Sequence, residues 1–314
     1  MLEINTIQDY FSLSSEQQGD ICRNIKTVER LKGYLQTLNN PKPTEDKPPE
    51  WVPCKKCETR GWVLDEHVAR NNADVHASTI HKCLKYIWYG CSDYANQGVS
   101  NISPESRLIF DHGHTLHYML QSYGRKGAWG APVDYQPEAV ILPDEQEAIE
   151  RKAHVLPEAI KYRIRSSVDA VLWRYIVPNV RGLGDVSIRL IHEYKSISPG
   201  RPNKDGTMYG GYAGLNGPKP EHKHQATIYS HCFNVPIVVF VYYNKGNDQL
   251  IDFPIPYSSV TWNYVKSRIE KVLRFVDEGV PPPWEYTSAI MNPAECNTCD
   301  YLHICNPPKK LELV

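Results

Sequence analysis

The chain has 314 residues, enough for one large domain or two small ones with a substantial core. Hydrophobic residues make up 41%, aromatics 11% and charged residues 23%, and no apolar run approaches the roughly 18 residues that cross a bilayer, which excludes a membrane-spanning or wholly disordered chain. With 35 Lys and Arg against 36 Asp and Glu the formal charge is −1, so nucleic-acid binding would have to come from a local groove and not from a globally basic surface.

The opening MLEINTIQDYFSLSS has neither a basic n-region nor an apolar h-region, which predicts a cytoplasmic protein. In a reducing compartment its nine cysteines stay free, and clustered ones read as metal or cluster ligands before disulfides. Residues 15–36 predict an amphipathic helix, with Ile21, Ile25, Val28, Leu31 and Leu35 at three- and four-residue steps. Residues 40–53, NPKPTEDKPPEWVP, cannot continue a helix or a central strand, so residues 1–53 read as a helical extension with a Pro-rich linker and 54–314 as the main domain.

Beyond the linker, residues 103–123 predict a helix and 143–160 a helical stretch broken at Pro157. A long β-hairpin follows, from 163–177 and 186–197, with the turn-rich PNVRGLGD between its strands. Residues 198–220 form a glycine-rich loop, 221–233 a helix, 235–244 and 249–254 a second hairpin, and 259–278 an amphipathic helix. This order of helices and strands predicts a mixed α/β or α+β core.

The chemistry centres on His192-Glu193-Tyr194-Lys195 at the end of an apolar strand. Side chains alternate along a strand, so Glu193 and Lys195 share a face; on their own they could be a surface ion pair. A metal site needs a second carboxylate, and Asp169 and Asp185 are the candidates. Asp185 is eight residues from Glu193 on one strand, or about 26 Å, too far to share an ion. A turn centred on residue 181 instead sets Asp169 opposite Glu193, with Cα atoms about 4.5 to 5.5 Å apart and side chains on one face. A bulge would shift that register, and Asp185, preceded by Gly182, stays as the alternative. Asp, Glu and Lys around Mg²⁺ or Mn²⁺ suit phosphodiester hydrolysis: the ion acidifies a water and neutralises phosphate charge, and Lys195 can orient or deprotonate that water.

On these residues the chain resembles the PD-(D/E)xK nuclease superfamily, and within it the RecB-like branch. That branch carries a Gly-x-x-x-His before the metal carboxylates, matched by Gly113 to His117, and a Gln-x-x-x-Tyr after the lysine, matched by Gln225 to Tyr229. The resemblance implies a restriction-endonuclease-like core, a central mixed sheet flanked by helices. It further implies His117 as a metal ligand with Asp169 and Glu193, and Gln225 and Tyr229 in contact with DNA or with the catalytic strand. Ser166 stands where the motif commonly has glycine, and the hairpin is longer than usual.

Near the C-terminus Cys296, Cys299 and Cys305 bring three thiols into a tight turn, and Cys83 lies far upstream in an aromatic-rich helix. Spacing allows a four-cysteine zinc site or an iron–sulfur cluster. The layout is similar to that of iron–sulfur members of the RecB-like branch, the AddB nuclease domain and the CRISPR-associated RecB-like exonucleases, which implies a [4Fe–4S] cluster joining the two ends of the nuclease domain. Cys54 and Cys57 form a further pair that could bind zinc with His67, His76 or His81, or stay as free thiols. Cys22, Cys91 and Cys232 read as small buried apolar residues.

The 198–220 loop leaves directly from Lys195 and holds Arg201, Lys204, Lys219, Tyr209 and Tyr212, cations and aromatic faces suited to a single-stranded nucleic acid, or else an ordinary surface loop. No phosphate-binding Gly-x-x-x-x-Gly-Lys-Ser/Thr loop is present. The expectation is a Mg²⁺- or Mn²⁺-dependent exonuclease on linear, single-stranded or free-ended DNA in recombination, repair, phage or CRISPR DNA processing. The alternatives are a non-cleaving DNA-binding or assembly subunit, a structure-specific endonuclease, and a zinc-stabilised interaction protein.

Overall fold

The structure is a computed structural model that describes residues 1–38, 74–95, 104–202, 208–283, 296 and 299–305. Its centre is a seven-stranded mixed sheet. The long hairpin of β4 (Ile164–Val180) and β5 (Gly184–Ile197) is antiparallel, β8 (Ile237–Asn244) runs parallel to β5, and β9 (Leu250–Pro256) returns antiparallel to β8. On the outer edge of β4 lie β2 (Val75–His76) and β3 (Tyr135–Ile141), and β1 (Leu2–Ile4) pairs with the start of β5. The crossover from β5 to β8 runs through α8 (Pro220–Phe233), the helical link that a parallel neighbour requires.

Helices cover both faces. One face carries α4 (Leu84–Gly90), α7 (Pro157–Lys161), α8 and α9 (Ser259–Asp277), which bury Ile87, Ala159, Ile228 and Ile269 against Val171, Ile191, Val238 and Phe240. The other carries α2 (Ser15–Asn24), α3 (Thr27–Leu38) and α5 (Pro104–Arg125), with Ile21, Leu31 and Leu120 against Leu172, Leu190, Val239 and Val241. Every residue of β8 is buried, so this central strand reads as an unbroken apolar run. Each such Val, Ile or Phe contributes roughly 1.5–3 kcal/mol by leaving water.

Residues 1–38, expected ahead of the main domain, belong to its sheet and its core through β1, α1 (Ile7–Phe11), α2 and α3. The helix expected over 15–36 is two helices, divided where Ile25 turns extended (ψ 114°) while its side chain stays buried. Both pack on one core, so the apolar period runs through the break unaltered. Pro157 opens α7 where a break was expected, as proline's fixed φ allows at a first helical turn; α6 (Glu145–Glu150) is separate. The strand β3 was not expected, and within the 198–220 loop β6 (Arg201–Pro202) pairs with β7 (Met208–Tyr209). A last helix, α10 (Leu302–Cys305), follows α9. Among the described residues no helix is long and apolar enough to cross a membrane.

Candidate active site

The β4–β5 hairpin closes at Val180 and Gly184 around a turn in which Gly182 takes φ +72°, and then shifts register twice, between Val177 and Val180 and between Leu172 and Tyr175. Its turn is therefore centred one residue later than expected, and the two irregularities bring the strands back to Ala170 opposite His192. Asp169 and Glu193 are the next residues outward, where the registered β4–β5 ladder ends. Asp185 lies at the other end of the hairpin, exposed, where its carboxylate accepts the Asn179 N–H at 3.1 Å and ties the turn.

Asp169 sits in a gap between strands. On its outer side β3 pairs with Ser166–Val168 and with Ala170–Leu172 but skips residue 169, because Glu138 takes a left-handed φ of 50° beside Pro137. Three groups hold the aspartate instead. His117 Nδ1 lies 2.8 Å from Oδ1, the Tyr194 N–H donates to Oδ2 at 2.6 Å, and the Gln121 side-chain amide donates to the Asp169 carbonyl at 3.1 Å. His117 and Gln121 are four residues apart on α5 and share one helix face. One turn before His117, a Cβ on Gly113 would lie 3.1 Å from Ser196 Oγ, so glycine there lets α5 approach β5 beside Lys195.

Glu193 is 5% exposed and faces α8. Its Oε1 accepts from Lys195 Nζ at 2.8 Å and from Gln225 Nε2 at 3.2 Å; its Oε2 is buried and has no hydrogen-bond partner among the described residues. Gln225 also reaches the Tyr229 hydroxyl at 2.5 Å, and that hydroxyl is 3.4 Å from Ser166 Oγ. Tyr229 is only 1% exposed and its hydroxyl meets β4 at Ser166. Ser166, the departure from the motif's glycine, is thereby a partner of the motif's tyrosine.

The two carboxyls are driven apart in acidity. Burial pushes Glu193 up to about 7 against the pull of Lys195. Burial acts on Asp169 in the same sense, but the charge of His117 and the hydrogen bonds from His117 and Tyr194 outweigh it and hold that carboxyl below its usual range. The His117 imidazole, disfavoured as a cation by burial, is raised overall by Asp169. The side chains of His117 and Lys195 are 28% and 23% exposed, so the site is open at its rim while its carboxylates lie beneath.

Among the described residues no three His, Cys, Asp or Glu side chains already form a metal cage. The donors nevertheless fit a hard divalent cation: two carboxylates lie just beyond the last registered β4–β5 pair, and one buried oxygen, Glu193 Oε2, has no hydrogen-bond partner among the described residues. The arrangement can hold one carboxylate charged, keep a second near its titration point, and set an ammonium beside it.

At the cysteine site, Cys83 caps α4 and Cys296, Cys299 and Cys305 lie around α10. Two stretches distant in sequence are joined there: Tyr86 donates to Asp300 at 3.2 Å and Tyr89 stacks on Tyr301 with ring centroids 5.2 Å apart. None of the four is in a disulfide, and all four are half-buried. Burial first, and then the neighbouring thiols of Cys83 and Cys299, push Cys305 up to about 11. Thiols are the donor chemistry that an iron–sulfur cluster or zinc uses, but among the described residues no three of these cysteines already form a metal cage. Cys91 and Cys232 are buried as expected, and Cys22 is half-buried against the Tyr10 hydroxyl at 3.3 Å. Cys54, Cys57 and His67 lie outside the described residues.

In the loop after Lys195, Arg201 and Lys219 are exposed, whereas Tyr212 packs against the core and its N–H donates to the Ser198 carbonyl at 2.8 Å. Lys204 and the Tyr209 side chain lie outside what is described. Sequence reasoning missed Gln121 and the hydroxyl of Ser166. The signal for the first was available, since Gln121 continues the i, i+4 face that begins at His117; the second depends on a contact 63 residues away.

No family model matches the chain, and no curated protein does. Among solved structures it is similar to SSO0001, with 17% identity over 89% of this chain and 95% of that one and a TM-score of 0.41. It is also similar to the alkaline exonuclease LHK-Exo of Laribacter hongkongensis, with 14% identity over 67% and 91% and a TM-score of 0.34, and to LHK-Exo in complex with dAMP, with 14% identity over 66% and 90% and a TM-score of 0.36.

Proposed function

We propose that this chain is a Mg²⁺- or Mn²⁺-dependent deoxyribonuclease of the RecB-like kind, acting as an exonuclease on linear DNA with single-stranded or free ends. The observation that supports it most is the meeting of Asp169, Glu193, Lys195 and His117 where β4 and β5 part, with the Gln225–Tyr229 pair behind Glu193. Asp169, Glu193 and the imidazole of His117 would hold the cation, which when bound acidifies a water and offsets phosphate charge. Glu193 enters as the carboxylate, its proton displaced. Lys195, as an ammonium, orients the attacking water, and Gln225, held by Tyr229 and Ser166, fixes the Glu193 carboxyl.

Cys83, Cys296, Cys299 and Cys305 are proposed to hold a [4Fe–4S] cluster with a structural role, supported by the contacts of Tyr86 with Asp300 and of Tyr89 with Tyr301, which bring the two cysteine-bearing stretches together. Metal analysis of anaerobically purified protein separates this from zinc: iron and sulfide in brown material support it, and zinc in colourless material overturns it. Any zinc that survives Cys83→Ser and is lost in Cys54→Ser would belong to the Cys54 and Cys57 pair.

The functional reading is tested with end-labelled linear and covalently closed circular single-stranded DNA, with Mg²⁺, Mn²⁺ or EDTA. Loss of the linear substrate alone, abolished by EDTA and by Lys195→Ala and Asp169→Ala but not by Asp185→Ala, is the expected result. Cutting of circles would make the protein an endonuclease. No cleavage by folded protein would leave the non-cleaving DNA-binding subunit.

A further inference from the structure

We propose that Gln121 is a positioning residue of the Asp169 and Glu193 site, fixing the backbone of Asp169 while His117, one turn earlier on α5, fixes its carboxylate. This rests on the metal-dependent nuclease reading and deepens it. Gln121 is 1% exposed and follows the buried Leu116 and Leu120 on α5, whose leucines pack into the core on this face of the sheet. Its Nε2 donates to the Asp169 carbonyl at 3.1 Å, and its Oε1 is buried with no hydrogen-bond partner among the described residues. A buried amide with an unpaired acceptor is disfavoured relative to an apolar side chain of the same length, so packing alone does not account for this residue.

The carbonyl it takes belongs to Asp169, the one residue between Ser166 and Leu172 that β3 leaves unregistered, opposite the left-handed Glu138. The ladder with β5 is registered only from Ala170 inward. Where the β5 ladder ends and the β3 ladder is interrupted, no ladder partner fixes the peptide that carries the carboxylate toward Glu193. Gln121 replaces the missing ladder contact with one from a helix, and Gln121, His117 and the Tyr194 N–H together hold Asp169 at its main chain and at both carboxylate oxygens. The side chain touches no substrate; it acts through Asp169.

The test is Mn²⁺ binding, followed by electron paramagnetic resonance, to wild type, Gln121→Met and Gln121→Glu, each checked for folding by near-ultraviolet circular dichroism. Gln121→Met keeps the length and loses the donor; Gln121→Glu keeps the shape, so one variant stands if the other fails to fold. The expected result is Mn²⁺ affinity weakened by about 10- to 100-fold, the scale on which groups that orient metal ligands act. DNA hydrolysis falls in parallel at limiting Mn²⁺ and recovers at saturating Mn²⁺, with KM for DNA unchanged. Unaltered Mn²⁺ affinity in a folded variant, even one of lower thermal stability, would overturn the positioning role and leave the nuclease reading intact. A wild type that binds no Mn²⁺ would overturn the nuclease reading, and this role with it.

Discussion

His117 Nδ1 stands 2.8 Å from Asp169 Oδ1 and joins α5 to β4 at the point where β4 leaves β5. This one contact sets the polarity of the site. It keeps Asp169 ionised in a buried place, and the neighbouring Glu193, with only Lys195 and Gln225 against one of its oxygens, is left the weaker acid of the two. Two carboxyls of one type are thus set to different tasks by their surroundings.

Lys195→Ala removes the ammonium 2.8 Å from Glu193 and with it the group that orients the attacking water. The rate of DNA hydrolysis is expected to fall by about 10² to 10⁴, the usual contribution of a positioned acid or base, with KM for DNA changed less. Asp185→Ala, at the far turn, is expected to keep full activity. Steady-state kinetics on linear DNA check both.

Tyr229→Phe removes a hydroxyl that binds Gln225 and Ser166 but lies out of reach of solvent. The expected result is a stability loss of about 1 kcal/mol in urea unfolding and a lower kcat with KM for DNA unchanged. A raised KM would show instead that the tyrosine meets substrate.

Arg165 is a structural counterpart to the site. Its guanidinium is 4% exposed, binds Asp74 at 2.5 Å and grips Glu147 through two bonds of 2.8 and 2.6 Å. Arg165→Met leaves Asp74 buried without its cation, and a loss of about 3–5 kcal/mol is expected. Adding Asp74→Leu should restore much of it, which chemical denaturation of the single and double variants measures.

His222, stacked on Phe240 and 2.6 Å from the Tyr242 hydroxyl, is brought down to about 3 by burial and then by the charges of Lys195 and Lys219. The unfolded chain protonates this histidine near pH 6.5 and the folded one only near pH 3, so between those values the unfolded state binds more protons. Stability should therefore fall as pH drops through that window, by up to about 1.4 kcal/mol per pH unit. Glu193, raised by burial, acts with the opposite sign between its unfolded value and about pH 7. The effect is read as the difference between wild type and His222→Asn in urea midpoints from pH 4 to 7, with the variant expected to lose less stability on acidification.

Much of the site was legible because it lies on regular elements with short-range periods. Alternation along β5 put Glu193 with Lys195, hairpin symmetry put Asp169 opposite Glu193, and helical spacing related Gly113 to His117 and Gln225 to Tyr229. The two register shifts in the hairpin were invisible, and the register held only because they compensate a turn centred later than expected. What escaped depends on distant contacts. The apolar period of residues 15–36 runs across the break at Ile25 because both helices face one core. The strand β3 hides behind Pro137 and Glu138, the residues that open the gap at Asp169. That residues 1–38 join the sheet follows from β1 pairing with β5, some 180 residues away, which no local pattern announces.

The most direct measurement is Mg²⁺-dependent release of nucleotides from uniformly labelled linear DNA by wild type and Asp169→Asn, purified side by side and shown to be equally folded. The account predicts release by the wild type, none with EDTA, and none above background for Asp169→Asn at any Mg²⁺ concentration. Equal release by both proteins, or release that persists in EDTA, would contradict it.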